Sequence, residues 1–325
     1  ALATITLLST PESYDDRVST MREQWESIQQ SRTNESYKFT SLTIRNPIPQ
    51  DVSPPSQRVA LEYLNFIRFV AGLEPVSSCD PELNERAQWG SLIMGVNRSI
   101  GHSLPKPSSL DASAYLLGSM GLAQGNLALF RGKRASIREV LDEQMLAAGA
   151  NSIHAGHRRW LLNPALSKVG VGLIQPDAEV ATYAVVIAND TSRRQYSAPQ
   201  FVAWPSPGPF PIELHRAEMP WTISLNPKHF KFAPDKRLQV KVIDAESRKS
   251  WAAQYSENTA KHPTAFTFHT NRQGFAWQDC IIILPPRDLA VRPNDRFVIE
   301  VSGLIGSDGT PSSIGFSTKF IRISS

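Results

Sequence analysis

The segment that decides the fold is Asn151-Ser-Ile-His-Ala-Gly-His-Arg-Arg-Trp-Leu-Leu-Asn-Pro164, in which two histidines stand three residues apart. The pattern predicts a short helix with Asn151 or Ser152 as its N-terminal cap. Pro164 ends this helix, because proline disfavours helical geometry in the residue before it. The spacing places four residues on one face of the helix: Ile153, His157, Trp160 and Leu161.

His157 is then in the middle of a buried stripe, and His154 lies about 60° away around the helix axis. Both imidazoles are therefore expected on one wall of a cleft, with Arg158 and Arg159 to the side of the buried face. The alternative is that His157 is a core histidine whose hydrogen bonds are satisfied inside the protein. The pattern of these residues alone does not separate the two interpretations.

Composition indicates a globular protein rather than a disordered or fibrous one, since 41% of the residues are hydrophobic and 20% are charged. A length of 325 residues predicts two domains. The net charge of +4 is spread along the chain, whereas nucleic-acid binding needs a concentrated basic face, so no nucleic-acid partner is expected. The longest apolar run falls short of the roughly 20 residues of a membrane-spanning helix, so no transmembrane segment is expected.

The two cysteines, Cys79 and Cys280, fall in different predicted domains. Two unpaired, buried thiols are the expected arrangement. A disulfide that joins the two halves is the alternative if the protein is exported. No Cys-x-x-Cys pair and no zinc-finger spacing occur in the sequence.

The first two thirds of the chain combine amphipathic helices with short strands. Apolar residues at spacings of three and four predict helices near residues 10–30 and at Ser56–Gly72, Asp80–Asn97 and Ile137–Ala148. Alternating or continuous apolar runs predict strands at Tyr37–Arg45, Val169–Ile174 and Val180–Ala188.

The character of the chain changes at the proline-rich stretch Phe201–Pro211, which is the best candidate for a domain boundary. Beyond it, short strands separated by turn residues predict a β-sandwich. These strands are Trp221–Leu225, Leu238–Ile243, Ala265–His269, Cys280–Leu284, Arg296–Leu304 and Ser317–Ile323. The predicted organisation is therefore an N-terminal helical and strand extension at 1–50, a mixed domain at 51–195 and a β-sandwich at 196–325.

Three short elements follow one another in a distinctive order: Gly101-His102, then Gly125-Asn126-Leu127-Ala128, then Gly156-His157-Arg158-Arg159-Trp160-Leu161-Leu162-Asn163-Pro164. In this order, residues 55–190 resemble the CAP superfamily of cysteine-rich secretory, antigen 5 and pathogenesis-related proteins, also called SCP domains. The segment Ala203-Trp-Pro-Ser-Pro-Gly208 is similar to bacterial members. The resemblance implies an α+β fold, a CAP-type α-β-α sandwich followed by the all-β sandwich, and an exported protein with an extracellular or periplasmic location.

The resemblance also implies a cleft built from two histidines and two glutamates, which flank a metal or a small polar ligand. His102 and His157 match the two histidines, and Gln124 and Asn126 are expected beside them. Gly125 stands where the family has its first glutamate. The second glutamate would fall near Ala147, and Glu143, one helical turn away, is the nearest acid.

Both departures remove negative charge and weaken any proposal of a divalent metal. Two imidazoles are a poor zinc site, because three or four protein ligands are usual. His154 would supply a third ligand to His102 and His157. The expectation is therefore either no cofactor or a zinc ion held by these three histidines.

Two functions compete, and whether the protein is an enzyme is left open. The first is a binding or structural module whose histidine-lined cleft takes a small ligand, a lipid or a glycan of the cell envelope. The alternative is a hydrolase of peptide or cell-wall bonds that uses His102 and His157, with or without zinc. The sequence has no G-x-S-x-G elbow, and no cysteine stands beside a histidine. Ser103, next to His102, is a candidate nucleophile. A third interpretation is a vestigial cleft, with binding by the β-sandwich.

Overall fold

The computed structural model of the chain describes residues 13–31, 37–42, 47–50, 52–147, 149–192, 196, 198–217, 219–233, 238–257 and 264–324, with residue 150 described in its backbone only. The start of the predicted extension, residues 1–12, lies outside the described residues. So does the end of the predicted strand at Tyr37–Arg45, of which Phe39–Thr40 is a strand.

The helices in the described part are α1 (Tyr14–Ser31), α2 (Pro54–Val70), α3 (Pro81–Asn97), α4 (Ala112–Gln124), α5 (Ile137–Leu146) and α6 (Gly156–Leu161). Their starts follow from local sequence. The predicted cap Asp80 accepts hydrogen bonds from the backbone of Glu82 and Leu83 at the start of α3, at 3.0 and 3.2 Å. At α5, Ser136 and Glu139 form a reciprocal capping box.

The strands of the first sheet are β1 (Phe39–Thr40), β2 (Ser78–Cys79), β3 (Gly125–Arg131), β4 (Lys168–Pro176) and β5 (Ala181–Asp190). Their spatial order is β1-β4-β5-β3, and β2 also pairs with β4. The ladders of β5 with β3 and with β4 are antiparallel, whereas β1 and β2 run parallel to β4. In the described part, β3 is therefore an edge strand.

Helices cover both faces of this sheet. Along β5, Tyr183 and Val185 belong to a hydrophobic cluster with residues of α3 and α4. The intervening Ala184 and Val186 belong to a second cluster with residues of α1, α2 and α5. Because successive strand residues point to opposite faces, each face of the sheet has its own helical layer.

The α3–α4 layer is held close by small residues. A Cβ atom at Gly121 of α4 would stand 2.0 Å from the carbonyl oxygen of Arg86 on α3. A Cβ at Gly118 would stand 2.8 Å from the backbone of Trp89. Glycine is therefore required at these positions for α4 to lie directly on α3.

The second half of the chain forms a β-sandwich-like unit. Its strands are β6 (Phe201–Trp204), β7 (Gly208–Pro211), β8 (Trp221–Leu225), β9 (Phe230–Phe232), β10 (Gln239–Asp244), β11 (Ser250–Tyr255), β12 (Thr267–Asn271), β13 (Cys280–Leu284), β14 (Arg296–Gly306) and β15 (Pro311–Ile321). They hydrogen-bond in the order β6-β8-β13-β12-β11-β10-β14-β15-β7, with β9 on β14. The path curls over itself, since Trp221 of β8 contacts Phe297 of β14 and Phe320 of β15.

The proline-rich stretch at Phe201–Pro211 contains strands rather than only a linker. Strand β6 pairs with β8 and β7 pairs with β15, and Trp204 and Phe210 are buried with their rings 4.8 Å apart. Proline fits here because β6 and β7 are the two ends of the strand path, where fewer ladder hydrogen bonds are needed.

Both cysteines are free thiols, as the sequence predicts. Cys79 lies in β2 and is partly buried, and burial raises the pKa of its thiol to about 11. Cys280 is fully buried in β13. Among the described helices, none is long and apolar enough to cross a membrane.

Candidate functional site

The segment at 151–164 differs from the single helix predicted for it. A 3₁₀ turn at Gly149–Ile153 comes first, and α6 begins only at Gly156. Between them Ala155 has a φ of 48°, a left-handed conformation that interrupts any continuous helix. The residue at the N-cap position of α6 is Ala155, so the prediction of Asn151 or Ser152 as the cap is wrong. The Asn151 side-chain oxygen nevertheless accepts a hydrogen bond from the Gly156 backbone at 3.1 Å.

His154 is thereby turned away from His157. Its Nδ1 accepts a hydrogen bond from the Asn271 amide at 2.8 Å, and its ring stacks on Phe275 with centroids 6.0 Å apart. Burial lowers the pKa of His154, with a further contribution from the charge of Arg159. The expectation that His154 and His157 share one helix face is wrong, because His154 precedes the left-handed residue and contacts the β-sandwich.

Arg158 and Arg159 are buried rather than set to the side of α6. Arg158 is fully buried and donates to the carbonyl oxygens of Met145, Leu146 and Pro220 at 2.7, 3.0 and 2.6 Å. Arg159 is 3% exposed and donates to the Asn271 side chain at 2.6 Å. It also donates to three backbone carbonyls of the β-sandwich, those of Gln273, Trp277 and Gln278. The two guanidinium groups therefore join the helical half to the β-sandwich.

His102 and His157 come from separate parts of the chain and lie close together. The charge of His102 contributes to lowering the pKa of His157 to about 4, although burial of the His157 ring is the larger cause. His102 donates from Nδ1 to the carbonyl oxygen of Leu122 at 2.7 Å, which leaves its Nε2 for another partner. His157 is half-buried, and its ring has no hydrogen bond to any described residue.

Asn126 positions His157 rather than opening into the cleft. The Asn126 side chain is 4% exposed and donates to the His157 carbonyl oxygen at 3.1 Å. Its backbone carbonyl accepts from the Gln144 amide of α5 at 3.3 Å. This network connects the start of β3 to α5 and α6, and thereby determines where the His157 ring lies. Gln124, the last residue of α4, is exposed.

A groove of about 470 Å³ begins at His157 and follows β3. It is lined by His157 and Asn151, by Ile100 and Glu143, by Lys133, and by the β3 residues Leu127, Ala128, Leu129, Phe130 and Arg131. The groove therefore combines an imidazole, apolar walls and charged groups. The sequence pattern indicated His157 and Glu143 separately, but not that both line one groove along β3 with Arg131 and Lys133.

Glycine at position 125 is required by packing. A Cβ atom there would stand 2.3 Å from Cγ1 of Val185 and 2.8 Å from the Gly121 carbonyl oxygen. No side chain, and hence no glutamate, fits at this position without displacing β5 or α4. Ala147 ends α5 with a φ of 51° and is buried, whereas Glu143 is exposed and does reach the groove.

A zinc site needs three or four protein ligands with converging donors. Within the described ranges, no group of three His, Cys, Asp or Glu side chains is placed to hold a metal ion. His154 lies against the β-sandwich, where its Nδ1 contacts Asn271 and its ring stacks on Phe275, and it forms no such group with His102 and His157. The donor set in the described residues therefore does not fit the three-histidine zinc site.

Comparison with known proteins adds no assignment: no protein-family model matches the chain, and a search of curated proteins finds no significant match.

Proposed function

We propose that the chain is a CAP-type protein that acts as a binding module, with the ligand held beside His102 and His157. The proposal includes the CAP α-β-α sandwich, an exported protein and a ligand from the cell envelope, all of which rest on the resemblance of the sequence motifs. Two observations support it. Helices lie on both faces of the first sheet, and the two histidines that match the family motif are near neighbours.

The observation that carries the binding proposal is the groove at His157. The half-buried imidazole faces an open volume of about 470 Å³, and the low pKa of His157 keeps the ring neutral at pH 7. A neutral imidazole offers one donor and one acceptor to a ligand. Ile100, which is 47% exposed, and Phe130 supply apolar contact in the same groove. Concave sites of this composition are typical of ligand binding.

A hydrolase would need a nucleophile or an activated water within reach of a base. Among the described residues, no hydroxyl or thiol, that of Ser103 included, is hydrogen-bonded to the ring of His102 or His157. No specific observation therefore favours hydrolysis over binding, and binding is the function that we propose.

The test is a binding experiment on the full chain with one probe of each class. The probes are N,N′-diacetylchitobiose for glycans, a short-chain phosphatidylglycerol for lipids, and citrate for small anions. We expect one probe to bind and to shift the ring resonances of His102 and His157. His157→Gln should weaken its binding about tenfold, a loss of about 1.4 kcal/mol. His229→Gln, in the turn between β8 and β9, is the matched histidine control. Equal affinity of both variants, or no binding by any probe, would refute the proposal.

A further inference from the structure

The groove at His157 follows the main chain of β3, not one face of the sheet. Five successive residues, Leu127 to Arg131, line it. Leu127 belongs to the hydrophobic cluster on the α3–α4 face and Ala128 to the cluster on the opposite face. Because neighbouring strand residues point to opposite faces, a groove that touches all five must run along the free edge of the strand.

Beyond Asn126, the outward backbone groups of β3 have no partner among the described residues. In an antiparallel ladder only alternate residues direct their N–H and C=O groups to the partner strand. The Val186 carbonyl oxygen of β5 lies within 3.6 Å of where a Cβ atom at Gly125 would stand, so this carbonyl points towards β3. Its register partner Asn126 therefore belongs to the set that bonds β5, and Leu127 belongs to the set that faces away. Leu129 and Arg131 follow Leu127 at steps of two and belong to the same outward set. None of these three residues has a backbone hydrogen bond on that side to any residue that the structure describes.

The side chains around this edge favour one kind of occupant. At the far end of the groove from His157, the exposed Arg131 guanidinium donates to the Arg98 carbonyl, which brings two arginines together. Two cationic side chains, Arg131 and Lys133, line the groove together with one acid, Glu143, so the lining carries a net positive charge. Lys133 is paired with Glu139 at 2.7 Å, so Arg131 is the main cation for a bound anion. Ile100 and Phe130 provide apolar contact between the two ends.

We propose that the free edge of β3 binds an extended peptide segment of about five residues, which adds a strand to the sheet and places a carboxylate at Arg131. Main-chain hydrogen bonds to Leu127 and Leu129 would supply affinity, and alternate apolar side chains would contact Ile100 and Phe130. Five residues at about 3.3 Å each match the lined length of β3. The inference names the ligand class of the histidine groove and so rests on the proposed binding function.

The test uses the full chain and a positional-scanning library of acetylated pentapeptides that end in aspartate with a free carboxylate. We expect at least one pool to bind and to slow hydrogen exchange at the Leu127 and Leu129 amides. N-methylation of alternate peptide nitrogens should abolish this protection while leaving the protein unchanged. Arg131→Gln should weaken binding about tenfold, and the exposed control Arg292→Gln should not.

The inference is overturned if no pool protects these amides at ~1 mM peptide, which is the weak limit of useful affinity. Equal binding of the N-methylated peptides overturns it as well. Its failure is distinguishable from that of the proposed function. If His157→Gln weakens the binding of a small probe but no peptide protects the amides, only the proposed function stands. If the peptide protects the amides but His157→Gln leaves the binding of small probes unchanged, only the strand-addition site stands.

Discussion

The Nη1 atom of Arg158 lies 2.6 Å from the carbonyl oxygen of Pro220, and the same guanidinium reaches the Met145 carbonyl through Nε at 2.7 Å. Pro220 precedes β8 of the β-sandwich, whereas Met145 lies at the end of α5. A fully buried cation thus bridges the two halves of the chain by hydrogen bonds to carbonyl oxygens. The residue that follows His157 therefore ties the candidate site to the contact between the halves.

Replacing Arg158 should destabilise the protein strongly. Arg158→Met retains much of the buried length but removes every donor, so the carbonyls of Met145, Leu146 and Pro220 lose their partner. Each buried group without a partner costs about 1–3 kcal/mol, so we expect a loss of about 3 kcal/mol in urea unfolding. The exposed control Arg292→Met should change stability by less than about 0.5 kcal/mol. Equal stability of the two variants would show that Arg158 does not join the halves.

Restoring the acid expected at position 125 should fail for steric reasons. Gly125→Glu introduces a Cβ atom 2.3 Å from Val185, and the carboxylate would follow into a buried region. We expect a loss of at least about 3 kcal/mol in thermal or urea unfolding, because overpacking and burial of a charge act together. Gln124→Glu, at the exposed neighbouring position, is the matched control and should be neutral within about 0.5 kcal/mol. A stable Gly125→Glu protein would contradict the packing of β3 against β5.

The free energy of unfolding of the wild-type protein should depend on pH because of His157. Burial, aided by the charge of His102, lowers its pKa from 6.5 to about 4 in the folded state. Below pH 6.5 the unfolded chain therefore binds a proton that the folded protein does not. The stabilisation is complete above pH 6.5 and is lost as the pH falls towards 4, by about 1.4 kcal/mol per pH unit.

His157→Gln should remove this contribution. The difference in unfolding free energy between wild type and variant should therefore change between pH 7 and pH 4.5, while other titrating groups cancel in the comparison. Urea unfolding at a series of pH values measures it. Parallel pH profiles for the two proteins would mean that the His157 ring is not buried as described.

Much of the fold follows from local sequence. Asp80 and the apolar spacing after Pro81 predict α3, and the β-branched run at Cys280–Leu284 predicts β13 with its observed ends. These elements are predictable because caps and apolar periods act within a few residues. Their arrangement into a mixed sheet with helices on both faces, and a β-sandwich-like second half, agrees with the α+β class. The domain boundary at residue 196 and the CAP assignment remain predictions.

The local features that were missed depend on distant parts of the chain. Ala155 adopts a left-handed conformation that few alanines adopt, so the sequence pattern continues a helix where the structure turns. Arg158 and Arg159 are expected to the side of the buried face because they are charged. They are buried instead, because carbonyl oxygens of the β-sandwich accept hydrogen bonds from them. Strands β6 and β7 form in a proline-rich stretch because β8 and β15 provide partners. None of these partners is visible within ten residues of the segment concerned.

The central claim, that His102 and His157 face each other at one site, is tested most directly by the NMR titration of the His157 ring. In His102→Ala we expect the pKa of His157 to rise above its wild-type value, because the variant removes a neighbouring charge and exposes the ring. In the matched variant His154→Ala, whose ring contacts Asn271 and Phe275 instead, the pKa of His157 should stay as in the wild type. An unchanged pKa in His102→Ala, or an equal shift in both variants, would contradict the account.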